Sequence, residues 1–148
     1  MSSVLTESEG DNFSFEYDED LAGAVAPEVL PEREYIATVI DAKRTESKSS
    51  GKPQIVIKYR IDPEQYPVDF PVEHAPDGVE VSYYSPDVGN NVHGRYNMKL
   101  IVQSHGLPLS SRVTAQDFVG KRVTLGVIQR TNDQGMKSLW PKGLPKAA

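Results

Sequence analysis

The sequence predicts a mostly β protein with one substantial helix. Three observations carry that expectation. Apolar and polar side chains alternate with period two in several short runs, the signature of strands with one buried and one wet face. Only one stretch, about Asn91 to His105, combines helical length with an N-cap and a C-terminal glycine. The 11 Pro and 11 Gly spread along the chain punctuate it with turns and argue against a helical bundle.

The first strand is Tyr35–Ile40, a short run rich in β-formers. A basic loop from Asp41 to Pro53 follows, carrying Lys43, Arg44, Lys48 and Lys52 among Ser and Thr. Strand two then alternates strictly. Ile55, Ile57, Tyr59 and Ile61 share one face, and Gln54, Val56, Lys58 and Arg60 share the other. A long connection, Asp62 to Gly78, contains Pro63, Pro67, Pro71 and Pro76; the alternation of Tyr66, Val68, Phe70 and Val72 suggests a short edge strand within it. Strand three places Val79, Val81 and Tyr83 inward and Tyr84 outward, and ends at Ser85-Pro86.

Asn90 or Asn91 caps the helix, with Val92, Tyr96 and Leu100, and less regularly Met98 and Ile101, expected on its inward side. Gly106 suits the position after the helix, and Pro108 prevents continuation. Thr114-Ala115-Gln116-Asp117 has the form of a cap on a single helical turn. Strand four follows with Val123, Leu125 and Val127 inward. The turn Asn132–Gly135 and strand five from Met136 to Pro141 complete a hairpin. Lys142–Ala148 is expected to be a loose tail.

The order β-β-β-α-β-β is that of the five-stranded OB-fold, a small Greek-key barrel. The expected organisation is an acidic, largely flexible leader over 1–31, an OB-fold domain over 32–142 and a tail over 143–148. Phe13, Phe15 and Tyr17 alternate with polar residues in the leader, as an edge strand or as an extended segment that docks by its aromatics. The net charge of −5 conceals a split. Residues 1–32 hold nine acids and no Lys or Arg, hence −9; the remainder holds the other 12 acids and all 16 bases, hence +4.

The absence of cysteine excludes disulfides, thiolate metal sites and cysteine nucleophiles. No run has transmembrane length, and no signal peptide is visible, so a cytoplasmic location is expected. Gly89 and Gly94 have the spacing of a phosphate-binding loop, but Arg95-Tyr96 stands where Lys and Ser or Thr belong. Ser49-x-x-Lys52 matches a penicillin-binding motif by letters, without its companion motifs. His74, His93 and His105 have no metal-ligand spacing, and surface or capping roles are expected for them. No enzyme activity, cofactor or metal is expected.

The runs Tyr35-Ile-Ala-Thr-Val-Ile-Asp-Ala42, Ser47-Lys-Ser-Ser-Gly-Lys-Pro53 and Ile55-Val-Ile-Lys-Tyr59 resemble the opening of a bacteriophage family of OB-fold proteins of unknown function. His105-Gly-Leu-Pro108 and Asp117-Phe-Val-Gly-Lys-Arg-Val123 extend the resemblance, which covers Tyr35 to Trp140. It implies a protein of single-stranded DNA-binding type from a phage replication or recombination module, acting in the host cytoplasm.

In an OB-fold, strands two and three and the loops between strands one and two and between four and five bind oligonucleotides. That geometry would gather Lys43, Arg44, Lys48, Lys52, Lys58, Arg60, Arg130 and Lys137 on phosphates, with Tyr84 and Trp140 stacking on bases. Singly, each cation has a plainer explanation as a wet strand or loop residue, and Trp140 as a cap on the barrel end. The expected partner is single-stranded DNA, with RNA as the alternative strand. The leader would compete for the basic groove, recruit replication or recombination proteins, or simply aid solubility. Homo-oligomerisation is left open. The rival reading is a protein-interaction module, a virion or host-interaction accessory that uses the leader aromatics or Tyr66–Val72 as its docking edge.

Overall fold

The computed structural model describes residues 12–148. Six antiparallel strands form one sheet: β1 (Glu34–Glu46), β2 (Pro53–Ile61), β3 (Val79–Tyr84), β4 (Arg122–Thr131), β5 (Lys137–Pro141) and β6 (Lys146–Ala147). The order is β3-β2-β1-β4-β5, with β6 paired to β4 beside it. Between β3 and β4 lie the helix α1 (Val92–Ser104) and the single turn α2 (Ala115–Phe118). The sheet is open: β3 and β5 approach each other through side chains, with the rings of Tyr84 and Trp140 6.4 Å apart, and no ladder joins them.

The period-two pattern becomes burial directly. On β2, Ile57, Tyr59 and Ile61 are buried while Lys58 and Arg60 between them are half-exposed. On β4, Val123, Leu125 and Val127 are buried in the same way. These face Tyr35, Ala37 and Val39 of β1, Val81 of β3, and the lid made by Ile101, Val102 and Phe118. Each such aliphatic or aromatic side chain contributes about 1.5–3 kcal/mol by leaving water. The core begins at Leu30, fully buried and one residue ahead of the boundary expected at Pro31. Its carbonyl accepts from the Gln129 side chain at 2.9 Å, and the Glu32 carboxylate accepts from the Gln129 N–H at 2.8 Å.

β1 is longer than its apolar run predicts. It continues through Lys43 and Arg44 to Glu46, so the loop shrinks to a turn closed by Ser47 N–H to the Lys52 carbonyl at 2.9 Å. The reason is the partner strand: β2 pairs with β1 residue by residue down to Glu46↔Pro53, which polar side chains tolerate on a solvated ladder. The register skips one residue between Val39 and Asp41, a β-bulge at Ile40. After it Ala42 and Arg44 share the face of Val39, and Asp41 and Lys43 share the opposite one.

Four further expectations are corrected. The connection 62–78 forms two 3-10 turns, Pro63–Gln65 and Val72–His74, and no edge strand; Pro67 and Pro71 break the ladder donors a strand would need, and Val68 is fully exposed while Phe70 is buried. α1 has the expected caps, with the Asn91 side chain accepting from Gly94 N–H at 2.8 Å and Gly106 at φ 72°. Its inward face agrees with expectation at Ile101 and half-buried Met98 and differs elsewhere. Val92, Tyr96 and Leu100 are 72%, 58% and 37% exposed, while Gly94, Ile101 and Val102 are buried. Gly94 decides this, because the helix start presses on Gly89 so closely that a Cβ there would collide with the Gly89 backbone. The expected loose tail instead returns as β6, pairing Ala147 with Val123 and Lys146 with Thr124. Of the two forms open to Phe13, Phe15 and Tyr17, the edge strand is absent; the three side chains are exposed, with successive ring centroids 5.4 and 6.4 Å apart. Residues 1–11 of the expected leader lie outside the described residues.

Candidate nucleic-acid interface

Strand alternation and register determine which of the ten predicted site residues can act together. On the outer face of β2 and β3 the cross-strand pairs are Val56↔Tyr84, Lys58↔Ser82 and Arg60↔Glu80. Asp41 and Lys43 of β1 lie opposite Lys58 and Val56 on the same face. On β4 and β5 the outer pairs are Ile128↔Trp140 and Arg130↔Ser138.

Tyr84, Trp140 and Arg130, which belong to three different strands, converge where the two sheet edges approach. The Tyr84 ring is 54% exposed and tilted 40° from the indole. The Arg130 guanidinium carbon stands 4.7 Å from the indole centroid, a cation–π contact. The indole N–H donates to Ser138 Oγ at 2.8 Å, which fixes the ring orientation. Trp140 is half-buried and its outward placement beside Tyr84 matches the alternation of β5. This arrangement offers ring faces and, among the described residues, a cation without an acid partner in one place, the elements with which proteins stack bases and hold a phosphate.

Lys58 and Arg60 occupy the same face, but each already has a carboxylate. Lys58 Nζ is 3.6 Å from Glu80, and Arg60 Nε donates to Asp62 at 2.8 Å. The Arg60 stem also lies over Gly78, where a Cβ would meet it at 2.9 Å. These are the only two ion pairs among the described residues, and they fall on the two cations that β2 was expected to contribute.

The remaining predicted cations divide by face. Lys43 is exposed and lies next to Val56, two residues from Lys58 across the ladder. Arg44 belongs to the opposite face, with Ala42 and Ile55, because the bulge shifts the alternation. Lys137 pairs with Thr131 and so alternates with Leu139, opposite to Arg130 and Trp140. Lys48 and Lys52 are exposed in the tight turn between β1 and β2. The expected convergence of all eight cations on one surface is therefore corrected for Arg44 and Lys137, which strand parity turns from it; Lys58 and Arg60 lie on it but are engaged by acids.

His105 is another correction. It is the C-cap residue of α1, as one expected role allows, yet it is 2% exposed and lies within the core. Its Nδ1 lies 2.7 Å from the Ile101 carbonyl, which can only accept, so that nitrogen carries the proton. Nε2 then accepts from the Tyr59 hydroxyl at 2.6 Å. Burial pushes the histidine pKa below its ordinary value, against the opposing pull of the Ile101 carbonyl, and pushes the Tyr59 phenol far up. The signal available in the sequence was His105 directly ahead of Gly106, a position that closes a helix onto the core. Gly89 and Gly94, whose spacing suggested a phosphate loop, serve this same packing of α1.

No group of three or more His, Asp or Glu side chains among the described residues could hold a metal. No helix among them is long and apolar enough to cross a membrane. No protein-family model matches the sequence, and no curated protein matches it either. The likeness to a bacteriophage family therefore rests on the residues quoted for it.

Proposed function

We propose that the protein binds single-stranded nucleic acid, DNA in the first instance, across the outer face of β2, β3 and β5. In this reading it acts by binding rather than catalysis, as an OB-type module of a phage replication or recombination system. The observation that carries the proposal is the convergence of Tyr84, Trp140 and Arg130 from three strands. The pairing of β1 with both β2 and β4, and the approach of β3 to β5, support the OB-type reading. Bases would stack on Tyr84 and Trp140, while Arg130 and Lys43, with Lys48 and Lys52 at the adjoining turn, would track the backbone. Lys58 and Arg60 would contribute only after exchanging Glu80 and Asp62 for phosphates. No helix is offered to a duplex major groove in this reading, so single strands are preferred.

Trp140 is the chain's only tryptophan, so its fluorescence reports this surface alone. Titration with oligo-dT at two salt concentrations should quench that fluorescence, with affinity falling as salt rises. A duplex of the same length should bind more weakly, and oligo-U measures the tolerance for RNA. Equal affinity for duplex and single strand, or an affinity independent of salt, would overturn the proposal.

A further inference from the structure

A second surface lies on the other face of the β1–β2 hairpin, between it, α1 and the segment 109–115. Two adjoining cavities there, of about 250 and 680 Å³, share Val88, Met98 and Val113 as an apolar floor. Arg44 lines one of them, with Lys43 at its edge, and Arg95 and Lys99 line the other. No Asp or Glu lines either cavity, and among the described residues none of these cations has a carboxylate within 4 Å. Apolar floor beneath unpaired cations is complementary to an extended peptide that alternates aromatics with acids.

The chain carries such a peptide. Phe13–Asp20 holds Phe13, Phe15 and Tyr17 with Glu16, Asp18, Glu19 and Asp20, and no base. The three rings are 79%, 68% and 61% exposed, an arrangement that costs free energy in water unless something covers them. We propose that the groove takes the Phe13–Asp20 segment of a second copy of this chain, with the rings on the apolar floor and the carboxylates at Arg44, Arg95 and Lys99.

Reach favours the second copy over the same chain. The leader leaves the body at Leu30, beside Gln129 and the start of β1. Arg44 lies ten residues beyond Glu34 on β1, roughly 33 Å away at the rise of a strand. The ten residues from Asp20 to Leu30 span at most about 36 Å when fully extended, and Leu21–Gly23 is wound into a 3-10 turn. Docking in its own groove would require the leader to unwind and run straight; a neighbouring copy imposes no such condition. The contact joins unlike surfaces, so it is heterologous and propagates into rings or short filaments. It does not depend on the nucleic-acid proposal, since Arg44, Arg95 and Lys99 have no part in that reading and only Lys43 borders both surfaces.

Two full-length variants test this. Phe13→Ser/Phe15→Ser/Tyr17→Ser disables the leader and keeps the groove; Arg95→Glu/Lys99→Glu disables the groove and keeps the leader. All five side chains are exposed, so both variants should melt with the wild type. In sedimentation experiments the wild type should associate with rising concentration and dissociate with added salt. Each variant alone should remain monomeric. An equimolar mixture should form a heterodimer and stop there, because only one junction can be made. A peptide of residues 12–21 in excess should dissociate the wild-type assembly. A wild type that stays monomeric at the highest concentrations, variants that associate like it, a mixture without heterodimer, or an assembly indifferent to the peptide would each overturn the proposal.

Discussion

The two ends of the outer face differ in a way that residue counts conceal. At the Lys58–Arg60 end, two cations stand in a row, and Glu80 and Asp62 hold them within ion-pair distance. At the Tyr84–Trp140 end there is one cation, Arg130, resting on an indole, with no carboxylate within 4 Å of it among the described residues. A phosphate arriving at the first end must displace a carboxylate that is already in place. At the second it meets a guanidinium whose charge is unspent and a ring face ready for a base. The lesson is that a strand's charge pattern defines an interface only together with the residues opposite it, and those come from elsewhere in the chain.

The comparison can be tested by changes of decreasing size. Leu30→Ala removes a fully buried side chain of the core, so it should cost about 2–5 kcal/mol of stability, read by denaturant unfolding, and leave the affinity of the folded protein for oligo-dT unchanged. An affinity loss as large as that of a surface change would mean that the face is not independent of the core. A leader truncation should accordingly stop before Val29, because cutting through Pro31 takes Leu30 with it.

Trp140→Ala should weaken oligo-dT binding by about 1–3 kcal/mol, with a much smaller effect on the melting temperature. Unfolding of the variant with binding retained in the residual folded fraction would reverse the contrast and make the indole a structural cap.

Acid should act on both ends through the core. His105 is held neutral with a lowered pKa, while in the unfolded chain it titrates near its ordinary 6.5. The unfolded state therefore binds the extra proton first, so stability is complete above about pH 6.5 and declines as pH falls toward the folded-state value. Melting temperatures measured from pH 7.5 to 5 should fall in that direction. His105→Gln should lower stability throughout and flatten the slope; an unchanged slope would assign the acid response elsewhere.

The smallest effect is expected from Lys58→Ala with Arg60→Ala. Exposed ion pairs contribute on the order of 0–1 kcal/mol, so stability should barely move, and binding should weaken less than with Trp140→Ala. Isothermal titration on both variants provides the comparison, and a larger loss from the Lys58/Arg60 change would place the main contact at the other end of the face.

What was legible in the sequence was local. The alternation of β2, β3 and β4, the Asn91 cap, Gly106 after the helix, the bond from Thr114 N–H to Asp117 at 2.8 Å and the turn at Asn132–Gly135 all depend on neighbours a few residues apart. What escaped depends on distant partners. The polar half of β1 is a strand because β2 pairs with it, and β6 exists because β4 has a free segment at Val123 and Thr124. The helix face was right at Met98 and Ile101 and misassigned at Val92, Tyr96 and Leu100, which look like a core stripe until Gly94 is seen against Gly89. Within the site, Tyr84 and Trp140 followed from alternation alone. The acids beside Lys58 and Arg60 did not, since Glu80 lies across a ladder and the role of Asp62 depends on how the chain leaves β2.

The bulge at Ile40 has a consequence for how this protein can change. It acts as a parity switch: one unpaired residue decides that Lys43 serves one face of the hairpin and Arg44 the other. Substitution cannot exchange those assignments, because every replacement inherits the direction of the position it fills. Drawing Ile40 into the ladder would turn Asp41 and Lys43 toward the apolar side and send Ala42 and Arg44 outward, whereas deleting it would remove the bulge and leave each of them on its present face. Neither face can therefore acquire its neighbour's cation by substitution alone, and the two surfaces are free to diversify separately for as long as no extra residue is drawn into the ladder between Val39 and Asp41.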